Sequence, residues 1–163
     1  AFYKGIKCHI DIHIMGYIKD SSFYKEAIHE LNYPCGNFYL FESFVVGEIN
    51  EGIVYSWENH AKEIVEEISH LYDYNSKDIM YISNRVHSYA VKPMDWIKFF
   101  KNNHKLKGYS IVSYTPKGLL TSLVEKLFFK DNFQSFDNLE DAIAWAKWLA
   151  KEIDIDQEEL ENV

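Results

Sequence analysis

From Phe38 onward, short apolar segments alternate with longer segments of helical periodicity, and this alternation limits the architecture more than any other feature of the chain. The extended segments are 38–49, 53–55, 79–82, 109–114 and 133–136. Helical patterns begin after Ser56, at Pro93, at Pro116 and after Asp137. Strands that alternate with helices predict an α/β domain with a mainly parallel sheet and right-handed crossovers.

We expect the sheet to open with a β-hairpin. The segment 38–49 is rich in Phe, Tyr, Val and Ile and predicts one or two strands. A turn at Asn50-Glu51-Gly52 follows, and residues 53–55 resume an extended chain. The prediction is therefore a mixed, mainly parallel sheet opened by this hairpin, together with about four helices.

Local signals place the ends of the helices. Ser56 and Thr115 are good N-cap residues, while Pro93 and Pro116 suit the first helical position. Asp137 stands at the cap position of a capping-box pattern that includes Glu140. The apolar faces are Trp57, Ala61, Ile64, Ile68, Leu71; Trp96, Ile97, Phe100; Leu120, Leu123, Val124, Leu127, Phe128; and Ile143, Trp145, Ala146, Leu149.

Residues 1–37 differ from the rest of the chain. Strict alternation over 8–14 predicts a strand, 21–31 fits a short helix, and 33–37 is a turn. We therefore divide the chain into an N-terminal extension of uncertain order (1–37), a domain (38–153) and an acidic C-terminal tail (154–163).

Composition excludes several classes of protein. With 163 residues, 47% of them hydrophobic and 17% aromatic, the chain can fill one core with large rings. A formal charge of −8 argues against binding to nucleic acid or to anionic membranes. We expect no membrane span, because no apolar run is long enough. Cys8 and Cys35 make no disulfide framework, which favours a reduced, cytoplasmic setting.

Arg85 is the only arginine among 17 basic residues. One interpretation is an AT-rich genome that favours lysine codons. The other is a need for the planar, always charged fork that lysine cannot supply. With Asn84, Ser88 and Lys92, Arg85 would make a small anion- or carboxylate-binding spot. Alternatively, Arg85 pairs with a nearby acid such as Asp95 or ends a strand.

The element order, the opening through Glu51-Gly52 and the segment 84–89 before Pro93 carry a resemblance over roughly residues 38–152. The chain resembles the STAS fold of bacterial anti-anti-sigma factors and, more narrowly, SpoIIAA-like or STAS/SEC14-like bacterial proteins. Those factors carry a phosphorylated Asp-Ser pair, and the corresponding place here is Tyr89-Ala90. The resemblance therefore implies a STAS module without the usual phosphoserine switch.

The resemblance implies a non-enzymatic, regulatory protein-interaction module, with a protein partner and with homodimerisation left open. The alternative is a domain that binds a small apolar ligand or lipid, as SEC14-like relatives suggest. The interaction hypothesis places the working surface at the segment 83–96, and the ligand hypothesis places a pocket beside the loop 83–92. The candidate binding residues are Asn84, Arg85, Ser88, Tyr89 and Lys92.

We expect no catalytic residues, metal or cofactor. His9, Asp11 and His13 share one face of a predicted strand, as metal ligands would, or simply form its polar face. His87-Ser88 lacks the geometry of a nucleophile and its base, because neighbouring residues on an extended chain point in opposite directions. Thr115-Pro116-Lys117-Gly118 fits an anion site or an ordinary helix cap.

Overall fold

A mixed β-sheet forms the centre of the fold in the computed structural model, which describes residues 16–129 and 132–161. The strands are β1 (His29–Tyr33), β2 (Gly36–Leu40), β3 (Phe44–Ile49), β4 (Val54–Tyr55), β5 (Met80–Arg85), β6 (Ala90–Val91), β7 (Gly108–Ser113) and β8 (Asn132–Phe136). The helices are α1 (Lys62–Leu71), α2 (Asp95–Lys101), α3 (Pro116–Lys126) and α4 (Leu139–Glu161). A π-helical turn, Trp57–Ala61, leads into α1.

Six strands lie in the order β1-β2-β3-β5-β7-β8. The first two pairings are antiparallel, and the pairings from β3 to β8 are parallel. The predicted class, an α/β fold with four helices and a mixed, mostly parallel sheet, is therefore confirmed.

The expected position of the opening hairpin is wrong. The antiparallel strands β2 and β3 turn at residues 41–43, and Leu40 lies opposite Val45. After Gly52, which has a φ of 75°, the chain runs as β4 and pairs in parallel with β6. The reason is a contact with a distant part of the chain, since the Gly52 N–H donates to the Ser88 carbonyl at 2.9 Å and holds this segment beside the loop 83–92.

The helix expected over 21–31 is also wrong. The chain there forms a short 3₁₀ turn, Tyr24–Glu26, and then the edge strand β1. Pairing with β2 outweighs the weak helical preference of this segment. The strand predicted over 8–14 lies outside the described residues.

The two faces of the sheet are covered by different helices. On one face α4 packs on Met80, Ile82 and Val112. On the other face α1 packs through Ile64 on β2 and β3, while residues of α2 and the end of α3 surround Tyr109. The side-chain period of two in each strand separates these two cores.

The apolar face predicted on α3 exists but is exposed to solvent. Leu120 and Leu127 are 70% and 74% exposed, and Leu123 and Val124 are about half exposed. The buried side chains of α3 are instead Ser122 and Glu125. Glu125 turns inward because it meets polar partners on the sheet, described below. In α2 the buried residue is Phe99, whereas the expected Ile97 and Phe100 are exposed.

The predicted caps are confirmed for two helices and wrong for one. Ser56 caps the turn before α1, and Thr115 caps α3 by accepting from Gly118 N–H at 3.0 Å. For α4 the cap is Asn138 rather than Asp137, because Asn138 Oδ1 accepts from Asp141 N–H at 2.9 Å. The buried face of α4 contains the expected residues Ile143, Ala146 and Leu149.

Candidate ligand-binding site

A cavity of about 130 Å³ lies between the sheet, α1 and α2. Its walls are mostly apolar and aromatic, and a few polar groups gather at one end. The apolar lining includes Phe38, Val45, Tyr55, Trp57, Ile64, Val65, Ile68, Tyr81, Phe99 and Leu106. The polar end is formed by Ser83, Arg85, Tyr89, Trp96, Tyr109 and Glu125.

Strand β5 supplies the floor of the cavity through alternate residues. Tyr81, Ser83 and Arg85 line it. Gly47 of β3 lies beside this floor, and a Cβ there would come within 2.5 Å of the Tyr81 hydroxyl. Glycine at this position therefore leaves room for the Tyr81 ring, which stacks on Tyr109 with centroids 5.6 Å apart.

A buried ion pair closes the polar end. Arg85 Nη2 donates to Glu125 Oε2, and the two side chains are only 13% and 4% exposed. The other oxygen, Glu125 Oε1, accepts from the Tyr109 hydroxyl at 2.8 Å and from Trp96 Nε1 at 3.2 Å. The carboxylate is thus held by three side chains, which compensates its loss of solvation.

The guanidinium has further partners of its own. Arg85 Nε donates to Ser83 Oγ at 3.2 Å, and Nη2 also donates to the Tyr109 hydroxyl at 3.2 Å. Ser83 Oγ lies 2.7 Å from the Tyr89 hydroxyl, and the Tyr89 ring faces the guanidinium at 5.3 Å. Arginine fits here because a planar fork can meet a carboxylate, a hydroxyl and a ring at once.

Burial keeps three phenols of the cavity, those of Tyr55, Tyr81 and Tyr109, protonated over the physiological pH range. Burial raises the pKa of Tyr109 well above its usual value, and the negative charge of Glu125 adds to that effect. Burial likewise raises the pKa of Tyr81 and of Tyr55. Each of these hydroxyls is therefore a hydrogen-bond donor.

The structure brings together three of the five sequence-predicted binding residues. Arg85, Tyr89 and Lys92 line the cavity, with Lys92 at its exposed rim. Ser88 is exposed, and its backbone N–H donates to Glu51 Oε2 at 2.7 Å. Asn84 is fully buried and does not line the cavity.

Asn84 belongs to a second polar cluster. Its Nδ2 donates to Glu48 Oε2 at 2.6 Å and to the Gly16 carbonyl at 2.8 Å, and its Oδ1 accepts from the Tyr114 hydroxyl at 2.6 Å. Glu48 also accepts from the Ile18 N–H at 2.9 Å. This cluster fixes the first described residues to the sheet.

The suggested ion pair between Arg85 and Asp95 is wrong, because Arg85 pairs with Glu125. Asp95 Oδ2 accepts from the Trp57 N–H at 2.8 Å and thereby joins α2 to the π-helical turn. Sequence reasoning missed Glu125, Tyr109 and Trp96. A signal for Glu125 was present, because it is the one acid between Pro116 and Lys126 in a chain with one arginine.

The two remaining candidate sites from the sequence are the pair His87-Ser88 and the possible metal ligands His9, Asp11 and His13. His87 Nε2 lies 3.2 Å from the Tyr17 hydroxyl, whereas the Ser88 side chain is exposed. Within 16–129 and 132–161, no three His, Cys, Asp or Glu side chains are arranged to hold a metal ion. His9, Asp11 and His13 lie outside the described residues.

Comparison with protein-family models, with curated proteins and with solved structures yields no match to this chain. In the part of the chain that the structure describes, no helix combines the length and the apolar character needed to cross a membrane. The cavity and its polar end are therefore the observations on which a functional proposal rests.

Proposed function

We propose that this chain is a non-enzymatic module that binds a small, largely apolar molecule in the cavity between the sheet, α1 and α2. The observation that carries the proposal is an apolar cavity with a few converging polar groups at one end, the usual composition of ligand sites. The polar end, built on Arg85 and Glu125, would orient the ligand, and the aromatic walls would supply most of the affinity.

The proposal includes the likeness to STAS and SpoIIAA-like proteins. The order of strands and helices supports it, with antiparallel strands followed by strands that alternate with helices. Such an argument comes from the fold alone and is weaker than one from a site. We further propose a cytoplasmic setting, for which the buried thiol of Cys35 is suited.

Native mass spectrometry of the chain, purified without denaturation, tests ligand binding directly. The test variant is Ala61→Leu, because Ala61 lines the cavity and a larger side chain there fills it. The matched control is Ala144→Leu, an exposed alanine on α4. We expect a small-molecule adduct on the wild type and on the control, and none on Ala61→Leu.

Ligand binding would be contradicted by two results together. Native mass spectra would show no adduct on any of the three proteins, and small aromatic fragments would cause no chemical-shift change at residues that line the cavity. An adduct of equal intensity on Ala61→Leu would place the ligand elsewhere on the molecule. Circular dichroism of each variant establishes that the fold is intact before either comparison is made.

A second candidate function is supported by an exposed apolar stripe on α3 and its C-cap residue, formed by Leu120, Leu123, Val124 and Leu127. These residues follow the i, i+3, i+4, i+7 spacing of a contact face. We propose that a second copy of the chain covers this stripe, because a two-fold dimer places the same patch on both sides of its interface. The module would then act through protein–protein contact.

Sedimentation velocity over a range of protein concentrations tests the second candidate. We expect the wild type to dimerise and the double variant Leu120→Lys, Leu123→Lys to stay monomeric. Leu160→Lys, at an exposed leucine of α4, is the matched control and should dimerise like the wild type. A wild type that remains monomeric at every concentration would remove this candidate.

A further inference from the structure

Five charged side chains line the cavity, and the two at its polar end, Arg85 and Glu125, form one buried ion pair. Of the others, Asp95 pairs with Lys98 at 3.4 Å, and Lys92 and Lys105 are exposed. A ligand that brings a carboxylate to the polar end would therefore compete with Glu125 for Arg85, and one of the two carboxylates would lose its counter-ion.

The unpartnered polar groups of the lining include groups that can donate a hydrogen bond. Glu125 already accepts from Arg85, Tyr109 and Trp96. Among the described residues, Arg85 Nη1 and the hydroxyls of Tyr55 and Tyr81 have no hydrogen-bond partner. Within the described part of the chain, Ser110 Oγ is the one buried side-chain polar atom without a partner, so both hydroxyls reach space that water can enter.

The volume of the cavity sets the size of the ligand. At about 130 Å³ it is slightly smaller than an apolar cavity of about 150 Å³ that binds benzene. One ring with a short substituent fits this space, whereas a long acyl chain does not. The lining contains a stacked pair, Tyr81 and Tyr109, and an edge-on pair, Trp57 and Phe99, and such aromatic walls suit a ring-sized ligand.

We propose, on the basis of the ligand-binding function above, that the ligand is a neutral, ring-sized molecule with one hydrogen-bond acceptor, a hydroxyl or carbonyl oxygen. Its ring lies among the aromatic walls. Its oxygen accepts from Arg85 Nη1 or from the hydroxyls of Tyr55 and Tyr81. Recognition is thus by a neutral acceptor rather than by a carboxylate.

Three probes of equal ring size test this proposal: benzyl alcohol, toluene and benzoate. Their affinities are measured at pH 7 by protein chemical-shift titration of the wild type, Ala61→Leu and the exposed control Ala144→Leu. We expect benzyl alcohol to bind best and benzoate to bind at least about tenfold more weakly, the ratio that about 1.4 kcal/mol produces. We expect Ala61→Leu to lose binding of all three probes.

The double variant Tyr55→Phe, Tyr81→Phe should reduce the preference for benzyl alcohol over toluene, because it deletes two of the three donors and keeps both rings. Tyr74→Phe, at a tyrosine that is 71% exposed, is the matched control.

Benzoate that binds as tightly as benzyl alcohol would overturn the neutral-ligand inference and leave ligand binding standing. Toluene that equals benzyl alcohol on the wild type would overturn the role of the acceptor. If no probe distinguishes the wild type from Ala61→Leu, the inference and the proposed function fall together.

Discussion

Arg85 and Glu125 come from two layers of the fold, the sheet and α3, and each is the counter-ion of the other. Their burial makes the pair costly to break rather than strongly stabilising in itself, because each charge has lost its water. Tyr109, Trp96 and Ser83 complete the set of partners. A single arginine in the chain therefore serves an interior position where lysine would lose most of these contacts.

Replacing Glu125 by Gln should lower the free energy of unfolding by about 3 kcal/mol, because the Arg85 charge is then buried without a counter-ion. Urea unfolding followed by circular dichroism measures the loss. The exposed Glu63→Gln is the control and should stay within about 0.5 kcal/mol of the wild type. A loss below about 1 kcal/mol for Glu125→Gln would show that the pair is open to water.

Glu48 gives a pH dependence of stability with a defined sign. Burial raises the pKa of its carboxyl, and hydrogen bonds from the Ile18 N–H and Asn84 only partly oppose this. Because the folded pKa lies above the ordinary value, Glu48 stabilises the fold most below that ordinary value. This contribution is lost as the pH rises through the folded pKa.

Relative to the wild type, Glu48→Gln should therefore gain stability as the pH rises from about 4 to 7. Urea unfolding at a series of pH values gives the difference. Glu30→Gln should show the opposite trend, because hydrogen bonds from Lys19 and Tyr24 lower the pKa of Glu30. A difference between Glu48→Gln and the wild type that is independent of pH would contradict the raised pKa.

Helix α3 turns its leucines to solvent and buries the polar residues Ser122 and Glu125, which is the reverse of an ordinary surface helix. Helical spacing identifies which residues of a segment share a face, and it did so for Leu120 and its neighbours. It does not say which face meets the sheet. Here the Arg85–Glu125 pair decides the orientation, and no periodicity of α3 alone contains that information.

Because Leu120 is 70% exposed, Leu120→Lys should change the free energy of unfolding of the monomer by no more than about 0.5 kcal/mol. Ile143→Ala, in the core beneath α4, should cost about 2–5 kcal/mol. Urea unfolding at low protein concentration measures both. A cost above about 2 kcal/mol for Leu120→Lys would mean that α3 turns its leucines inward.

Substitutions at Asp137 and Asn138 show which of these two neighbouring residues is the N-cap of α4. Asn138→Ala should lower the free energy of unfolding by about 1 kcal/mol, because Asn138 accepts from the Asp141 N–H. Asp137→Ala should cost less, because no backbone N–H of the helix donates to that side chain among the described residues. Thermal unfolding of the two variants ranks them, and the reverse order would restore Asp137 as the cap.

For the whole molecule, the sequence predicted the class of fold well and the path of the first strands poorly. Alternation of strand and helix signals from residue 79 onward maps directly on β5, β7, β8 and their helices. The hairpin was misplaced because β4 pairs with β6, which lies far along the chain, and no local signal indicates that pairing. The 21–31 helix was wrong because β1 pairs with β2 directly across residues 34–35, and this pairing outweighs a weak helical preference.

The candidate site was predicted in part for the same reason. Arg85, Tyr89 and Lys92 lie close together along the chain, so a sequence window finds them. Glu125, Tyr109 and Trp96 reach the cavity from three other elements. Their convergence depends on strand order, which the sequence does not state explicitly.

Filling the cavity should stabilise the fold and at the same time abolish ligand binding. Ala61→Leu should raise the free energy of unfolding by about 0.5–2 kcal/mol, because it fills apolar space. The same variant should lose the ligand. Thermal unfolding against Ala144→Leu measures the gain, and a loss of stability would show that the cavity walls cannot accommodate the added side chain.

Glu125 gives α3 two roles at once, since the helix carries the exposed leucines outward and the counter-ion of Arg85 inward. A carboxylate that displaced Glu125 from Arg85 would move the helix on which those leucines stand, whereas the neutral ligand proposed above leaves this contact in place. If a second copy of the chain covers the stripe, displacement at the cavity and association at the stripe would share a coupling free energy, and linkage would make the effect equal in both directions.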